Sequence, residues 1–147
     1  MDSVDVKFFL EQRVLQGGVL PLTLFILYLN DLIPELPKDV HTTIYADDLV
    51  LWCTEEYAAT ANYRMQIALD KVVTWGEQWC VTITLNREKT TGTLFTLSPK
   101  IQPGKLTLDD TPLKIEEQQT YLCVAFDKRM TWKQHIISAE AKARRKK

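Results

Sequence analysis

Two adjacent acids, Asp47 and Asp48, lie between two apolar, β-rich runs in the segment TTIYADDLVLW, residues 42–52. Two unit charges about 4 Å apart repel by roughly 4 kcal/mol at an effective dielectric of 20. A solvated turn relieves that repulsion, and so does a bound divalent cation. Asp is common in turns because its side chain hydrogen-bonds nearby backbone groups, so the pair taken alone favours an ordinary polar turn.

The flanking runs favour a metal site instead. They predict a tight hairpin that lifts the two acids clear of a buried sheet while its apolar strands fix their position. Phosphoryl transfer uses such a platform, because two divalent ions about 3.5–4 Å apart can clamp the attacking and leaving oxygens. Mg²⁺ prefers carboxylate and phosphate oxygens. The hairpin is therefore a candidate site for Mg²⁺ or Mn²⁺.

The elements that must position this hairpin are predicted from apolar periodicity. Residues 56–79 form an amphipathic helix whose apolar stripe has spacings of four and three: Ala61, Met65, Ala68, Val72, Trp75 and Trp79. Residues 22–32 are apolar nearly all round and predict a buried helix that two prolines end. Loop and strand patterns predict a Gly-containing loop at 15–21 and strands at 6–10, 81–85, 92–97, 105–109 and 121–126.

Two further features complete the predicted fold. DDTP, residues 109–112, predicts a turn between short strands. Residues 131–147 predict a final basic helix capped by Thr131, which we separate from the body of the chain at 1–130. The mixture of strands and helices without strict βαβ repeats indicates a mixed α/β fold of the α+β kind, with helices on one face of a sheet.

Composition excludes several function classes. The chain has 147 residues, 46% hydrophobic and 25% charged, with a net charge of −1, so it is not a basic nucleic-acid binder as a whole. The three cysteines, Cys53, Cys80 and Cys123, are too few and too scattered for a disulfide framework or a zinc pattern, and we expect no disulfide-linked partner. The longest apolar run, 19–29, is too short for a membrane span. We expect an intracellular protein.

Four ordered motifs resemble the reverse transcriptases of non-LTR (LINE-type) retrotransposons, and jockey-like elements most of all. YADD, 45–48, resembles their active-site hairpin, and QGGVLPLTLFILYLNDL, 16–32, resembles their QGS-V-LSPLLF-hydrophobic-NDL segment. LDKVVTWGEQW followed by LNREKT resembles their helix and N-x-x-K-T segment. YLCVAFDKRMTWKQHI, 121–136, resembles their YLGV-x-x-D-x-x-LTW-x-x-HI segment. The resemblance covers nearly the whole chain and implies part of a polymerase palm with an antiparallel sheet, without fingers and thumb.

The resemblance implies roles for individual residues around the metal. Asp47 matches the principal metal-binding acid and Asp48 its neighbour. Tyr45 and Ala46 match residues that line the primer terminus and the incoming nucleotide. Lys89 matches a palm lysine that could steady or protonate departing pyrophosphate, although a purely structural, exposed lysine is at least as common.

Further residues match template and primer contacts. Gln16 and Gly17 match a loop that approaches template and nucleotide, where Gly permits close backbone approach. Tyr121 and Leu122 match the hairpin that grips the primer, and for Leu122 an ordinary core strand is equally plausible. The implied cofactor is Mg²⁺ (or Mn²⁺), and the implied partners are an RNA template, a DNA primer and deoxynucleoside triphosphates.

Two departures from the family pattern limit these roles. The family's metal site needs a third carboxylate from a strand well upstream of the Gln-Gly loop, and Asp2 and Asp5 lie too close to that loop in sequence. We therefore expect this chain alone to be inactive or nearly so. Cys123 replaces a Gly, and it fits badly if that position requires a positive φ.

Two alternatives to catalysis remain. The chain could be a non-catalytic fragment that binds nucleic acid or a partner, with phosphate contacts from the basic tail at Lys142 and 144–147. A solvated helix end explains that tail equally simply, because cations favour a helix C-terminus. The chain could also be an inert remnant of a mobile element.

Overall fold

The structure, a computed structural model, describes residues 2–9, 23, 27, 29–45, 48–79 and 90–145. The predicted loop at 15–21 and the predicted strand at 81–85 lie outside these residues. In the described part, no helix is long and apolar enough to cross a membrane.

Strands make up most of the described elements. The strands are β1 (Asp2–Phe9), β2 (His41–Tyr45), β3 (Asp48–Glu55), β4 (Thr91–Phe95), β5 (Thr107–Leu108), β6 (Thr111–Pro112), β7 (Lys114–Ile115), β8 (Gln118–Tyr121) and β9 (Val124–Asp127). The helices whose bounds are described are α1 (Ala58–Gln78), α2 (Lys133–Arg145) and a short 3-10 helix (Ile33–Glu35). Predicted strands at 6–10, 92–97 and 105–109 thus correspond to β1, β4 and β5, with shifted or shorter bounds.

The main sheet has five strands in the order β2-β3-β1-β4-β7. Its pairs are antiparallel except β4 with β7, which run parallel. Two small antiparallel hairpins, β5–β6 and β8–β9, stand beside it. This arrangement confirms the predicted α+β fold with a mainly antiparallel sheet.

Helix α1 packs on β1 and β3 and forms the core with one face of the sheet. The predicted stripe is buried along most of the helix, at Ala61, Met65, Ala68, Val72 and Trp75. It meets Leu49, Leu51 and Cys53, the alternate residues of β3. Trp79 was predicted in this stripe wrongly: the helix ends at Gln78, and Trp79 is 39% exposed.

The predicted N-terminal helix is helical at its described positions, Thr23, Leu27, Leu29 and Asn30. Leu29 is 1% exposed and joins the core, whereas Leu27 is 60% exposed. The expectation of a buried helix is therefore confirmed at Leu29 and wrong at Leu27. The 3-10 helix that follows contains Pro34 in its first turn, a position where the missing N–H costs little.

The strand predicted at 121–126 is wrong, because a tight turn divides it into β8 and β9. Tyr121 pairs with Val124, so only two residues make the turn. Both have left-handed backbones: Leu122 has φ 45° and Cys123 has φ 67°. Two successive positive φ angles define the turn whose twist matches an antiparallel hairpin, usually made by Asn-Gly. Leu122 and Cys123 do not have the residue types of such a turn, so the sequence predicts a continuous strand here.

The same turn geometry occurs at Asp109 and Asp110, with φ of 48° and 56°. These residues connect β5 and β6, so the turn predicted at 109–112 is confirmed. Asp tolerates the left-handed region better than most residues, because its short polar side chain hydrogen-bonds locally.

Cys123→Gly is expected to stabilise the chain by about 1 kcal/mol. A left-handed backbone costs an L-residue roughly 1–2 kcal/mol, and Gly avoids that cost while losing some entropy on folding. Thermal unfolding of both proteins measures the difference. Cys53→Gly, which empties a buried site, should do the opposite. An unchanged or lower melting temperature for Cys123→Gly would contradict the strained turn.

The start of α2 is organised by Asp127 rather than by the predicted cap at Thr131. The Asp127 carboxylate accepts hydrogen bonds from the Thr131 N–H (2.9 Å), the Thr131 hydroxyl (3.0 Å) and the Trp132 N–H (3.1 Å). Desolvation alone would raise the pKa of Asp127, but these bonds hold the pKa below its ordinary value. The helix then begins at Lys133, so Thr131 lies before the cap position.

Candidate metal and primer site

The acidic hairpin (β2–β3) has the predicted form. Tyr45 pairs with Asp48, so only Ala46 and Asp47 connect the two strands. These two connecting residues lie outside the described residues. β3 continues to Glu55 between β2 and β1, so Asp48 is paired on both sides, with Tyr45 and with Phe9.

Asp48 lies on the face of the sheet opposite to α1. Leu49, Leu51 and Cys53 alternate towards the helix and are fully buried, so Asp48 and Val50 point the other way. Antiparallel partners share a face, which places Tyr45 and Thr43 with Asp48. We call this surface the acidic face.

The β8–β9 hairpin lies across the acidic face. In β8, Gln119 and Tyr121 are half-buried, while Gln118 and Thr120 are exposed. The Gln119 amide donates to the Thr91 hydroxyl on β4 at 3.4 Å. Leu94, three residues after Thr91 on β4, faces the core. Because side chains alternate between the two faces along a strand, Thr91 is on the acidic face. One side of β8 therefore rests on the sheet.

Tyr121, at the end of β8, lies beside the acidic hairpin. Its hydroxyl and the Thr43 side chain share a hydrogen bond. Burial raises the pKa of Tyr121, and the negative charge of Asp48 raises this pKa further, while the bond with Thr43 lowers it. The field of Asp48 therefore reaches Tyr121, and the two hairpins meet at the position predicted for metal and primer.

Leu122 and Tyr45 are exposed next to this meeting point. Leu122 is 48% exposed at the tip of the β8–β9 hairpin, so the alternative of an ordinary core strand is wrong for it. Tyr45 is 61% exposed at the end of β2. Both side chains are available to a bound molecule, as the primer-contact prediction requires.

Only part of the predicted site falls within the described residues. The structure describes Tyr45, Asp48, Tyr121 and Leu122 and brings them to one face of the sheet. The remaining predicted residues lie outside the described ranges: Gln16, Gly17, Ala46, Asp47 and Lys89.

The strand register explains why Asp2 and Asp5 do not complete the acidic pair. Asp2 pairs with Glu55 and Asp5 with Trp52, whereas Phe9 pairs with Asp48. At about 3.4 Å per residue, Asp5 lies roughly 14 Å and Asp2 roughly 24 Å along the strand from Asp48. Among the described residues, no cluster of three or more His, Cys, Asp or Glu side chains could hold a metal ion.

Sequence reasoning missed three residues of this site: Thr43, Thr91 and Gln119. Each contributes through a contact between distant segments, and nothing in its local pattern distinguishes it from a neighbouring strand residue. Strand alternation and register give the face on which Thr43 lies, but its partner on β8 is known only from the fold.

A polar cleft of about 490 Å³ lies at the opposite end of the β8–β9 hairpin, where Gln118 and Asp127 line it together with Lys128 and Arg129. It contains none of the predicted site residues. Arg129 donates to the Leu97 carbonyl at 3.4 Å, so this cation is engaged in a local contact. The cleft is therefore separate from the candidate site.

The basic tail resembles a solvated helix end in its described part. Arg144 forms a 2.6 Å ion pair with Glu140, one turn earlier in α2, and both side chains are largely exposed. Such pairs stabilise a helix by a few tenths of a kcal/mol. His135 holds α2 on β9, where its Nδ1 accepts a hydrogen bond from the Ala125 N–H at 3.4 Å.

Comparisons with known proteins place this geometry in a family. The chain is 28% identical over 137 residues to the RNA-directed DNA polymerase from mobile element jockey of Drosophila melanogaster, covering 89% of this chain and 15% of that protein. It is 30% identical over 142 residues to the jockey polymerase of Drosophila funebris, covering 92% and 15%. Similarity to the probable RNA-directed DNA polymerase from transposon BS of Drosophila melanogaster is 28% over 144 residues, covering 92% and 16%.

The chain thus spans only about 15% of the length of the curated relatives it matches. No solved structure matches it. The family model described as reverse transcriptase (RNA-dependent DNA polymerase) matches residues 2–135, which is most of the chain and includes both hairpins. The predicted resemblance is confirmed, and this chain belongs to the reverse transcriptase (RNA-dependent DNA polymerase) family.

Proposed function

We propose that this chain forms part of the palm of an RNA-directed DNA polymerase of a non-LTR retrotransposon. Asp47 and Asp48 bind Mg²⁺ or Mn²⁺, and Tyr121 and Leu122 contact the primer. Tyr45 and Ala46 contact the primer terminus and the incoming nucleotide, Gln16 and Gly17 contact the template and the nucleotide, and Lys89 steadies or protonates departing pyrophosphate. The parent enzyme would extend a DNA primer on an RNA template with deoxynucleoside triphosphates.

The observation that carries this proposal is the meeting of the two hairpins. Asp48 stands at the tip of the acidic hairpin, and Tyr121 reaches it from the β8–β9 hairpin. A primer end held by the second hairpin would therefore lie next to the first. An ordinary polar turn would not require a second hairpin to face its acids.

The donors suit the proposed ion. Carboxylate oxygens are the ligands that Mg²⁺ prefers, and Asp48 lies close enough to Tyr121 for its negative charge to raise the pKa of Tyr121. A bound divalent ion would stabilise negative charge on transferring phosphate oxygens. The described residues would position the ion and the primer. β3 fixes Asp48 in the sheet, the exposed ring of Tyr45 is available for stacking, and the exposed side chain of Leu122 is available for apolar contact.

The metal site is testable with Mn²⁺, which replaces Mg²⁺ and broadens the NMR signals of nearby amides. We expect selective broadening at Tyr45, Asp48 and Leu122. Asp47→Asn or Asp48→Asn should each weaken Mn²⁺ binding about tenfold or more, because each removes one negative ligand, and tenfold corresponds to about 1.4 kcal/mol.

The chain offers a matched control for this experiment. Asp109 and Asp110 are also adjacent acids at the tip of a hairpin, where they form the turn between β5 and β6, and they lie outside the candidate site. Asp109→Asn should leave Mn²⁺ binding at the acidic hairpin unchanged. Equal broadening at both acidic turns would show adventitious attraction to paired acids and would contradict the proposed metal site.

A further inference from the structure

We propose that Thr43 is a positioning residue, which holds the β8–β9 hairpin against the acidic hairpin through its hydrogen bond with Tyr121. The inference deepens the proposed function, because it names the residue that sets where the primer contacts lie relative to the metal-binding acids. Thr43 is not among the residues proposed to contact the metal ion or the primer, and it acts through Tyr121.

The first support is the placement of Thr43 within the acidic hairpin. It lies two residues before Tyr45 on β2, opposite Val50, and its half-buried side chain shares the acidic face with Asp48. Near this point β2 and β3 pair with each other, from Thr43 with Val50 to Tyr45 with Asp48. A bond from Thr43 therefore ties its partner to the frame that carries Asp48.

The second support is the way in which β8 is held. The Gln119 amide reaches the Thr91 hydroxyl on β4, and the Tyr121 hydroxyl reaches Thr43 on β2. β4 and β2 lie on opposite sides of the central pair β1 and β3. The two contacts therefore fasten β8 at both ends of its path across the acidic face.

The third support is the exposure of the tip of this hairpin. Leu122 and Cys123 are exposed, and both have the left-handed backbones that this turn requires and that are unfavourable for L-residues. Gln119 holds β8 on β4 and His135 holds β9 on α2, and neither contact is made by a residue of the tip. The Thr43 contact is made with Tyr121, the residue next to the tip, so it restricts movement of the tip relative to the acidic hairpin.

We call the hydrogen bond between Thr43 and Tyr121 the tether. Hydrogen exchange in the full 147-residue chain tests it directly. Thr43→Val removes the hydroxyl but keeps the shape, and Tyr121→Phe removes its partner. Each should raise the exchange rates of amides 119–124 about fivefold, the usual effect of losing one hydrogen bond. The double variant should exchange no faster than either single variant, and Thr43→Ser should keep slow exchange.

Two controls separate positioning from general stability. Thr54→Val changes an exposed threonine of β3 that lies far from Tyr121, and it should leave amides 119–124 unchanged. The amides of α1 should also keep their rates in Thr43→Val. Unchanged exchange at 119–124 would overturn the proposal, and so would a parallel rise in α1, since that indicates only lost stability.

Mn²⁺ then shows whether the tether positions the primer contacts. In Thr43→Val, the ion should bind the acidic hairpin with unchanged affinity, while broadening at Leu122 falls because that tip moves away. Broadening at Leu122 that stays as in the unmodified chain would overturn the positioning role. A failure of the unmodified chain to bind Mn²⁺ would instead contradict the proposed function, and the exchange rates would still decide the tether.

Discussion

Leu51→Ala is expected to lower the free energy of unfolding by about 3 kcal/mol. Leu51 is 0% exposed and lies in β3, with β2 on one side and β1 on the other. Its side chain faces α1, so truncation removes apolar contact and leaves a cavity that the surrounding strands cannot collapse to fill. For a chain of this size, the melting temperature should fall by roughly 10 °C.

Thermal unfolding followed by circular dichroism measures this loss. Leu97→Ala is the matched control, because the same atoms are removed from a side chain that is 77% exposed. It should change the melting temperature by no more than about 1–2 °C. Equal effects of the two substitutions would mean that the core does not lie between α1 and the sheet. Since Asp48 is three residues before Leu51 on the same strand, that outcome would also remove the support of the acidic hairpin.

Local pattern was sufficient for the elements whose signals agree. The acidic hairpin was predictable because two β-rich runs flank a short polar interruption, and helix α1 because its apolar residues recur at helical spacing. Sequence also predicted the turn at 109–112, where Asp supplies both the local hydrogen bonding and the tolerance of a positive φ. In each case the backbone preference and the burial pattern point to the same structure.

Local pattern failed where a residue type contradicts its backbone. Leu122 and Cys123 are apolar and lie between β-rich residues, so they read as strand although their φ angles make a turn. The substitution of Gly by Cys in the family motif was the one available signal of a special backbone at this position. The prediction for Trp79 failed for a simpler reason: the apolar periodicity of the sequence continues past Gln78, the residue at which the helix ends.

The candidate site depends on contacts that periodicity cannot encode. Thr43 and Tyr121 are 78 positions apart in the chain, and their hydrogen bond exists only because β8 crosses the sheet. The same holds for Asp2 and Asp5: sequence distance suggested that neither completes the metal site, and the register of β1 supplies the physical reason. Resemblance to a family identified the candidate site residues, whereas the fold determined which of the described ones lie close together.

Gln66→Leu is expected to lower the free energy of unfolding by about 2 kcal/mol, through two backbone groups left unpaired. The Gln66 side chain on α1 acts as a strand partner for Thr107. The Thr107 N–H donates to Gln66 Oε1 at 2.9 Å, and Gln66 Nε2 donates to the Thr107 carbonyl at 2.9 Å. This pairing holds the chain where Leu106 and Leu108, each 1% exposed, enter the core.

Leucine fills a similar volume but offers neither a donor nor an acceptor, so both groups of Thr107 lose their partner. Gln78→Leu, at the exposed end of the same helix, should change stability by less than about 0.5 kcal/mol. Denaturant unfolding of the three proteins measures the difference. Equal midpoints for Gln66→Leu and the unmodified chain would show that water replaces the side chain at Thr107 without loss. In that case the apolar contacts of Leu106 and Leu108 alone, rather than the amide pairing, would hold β5 against α1.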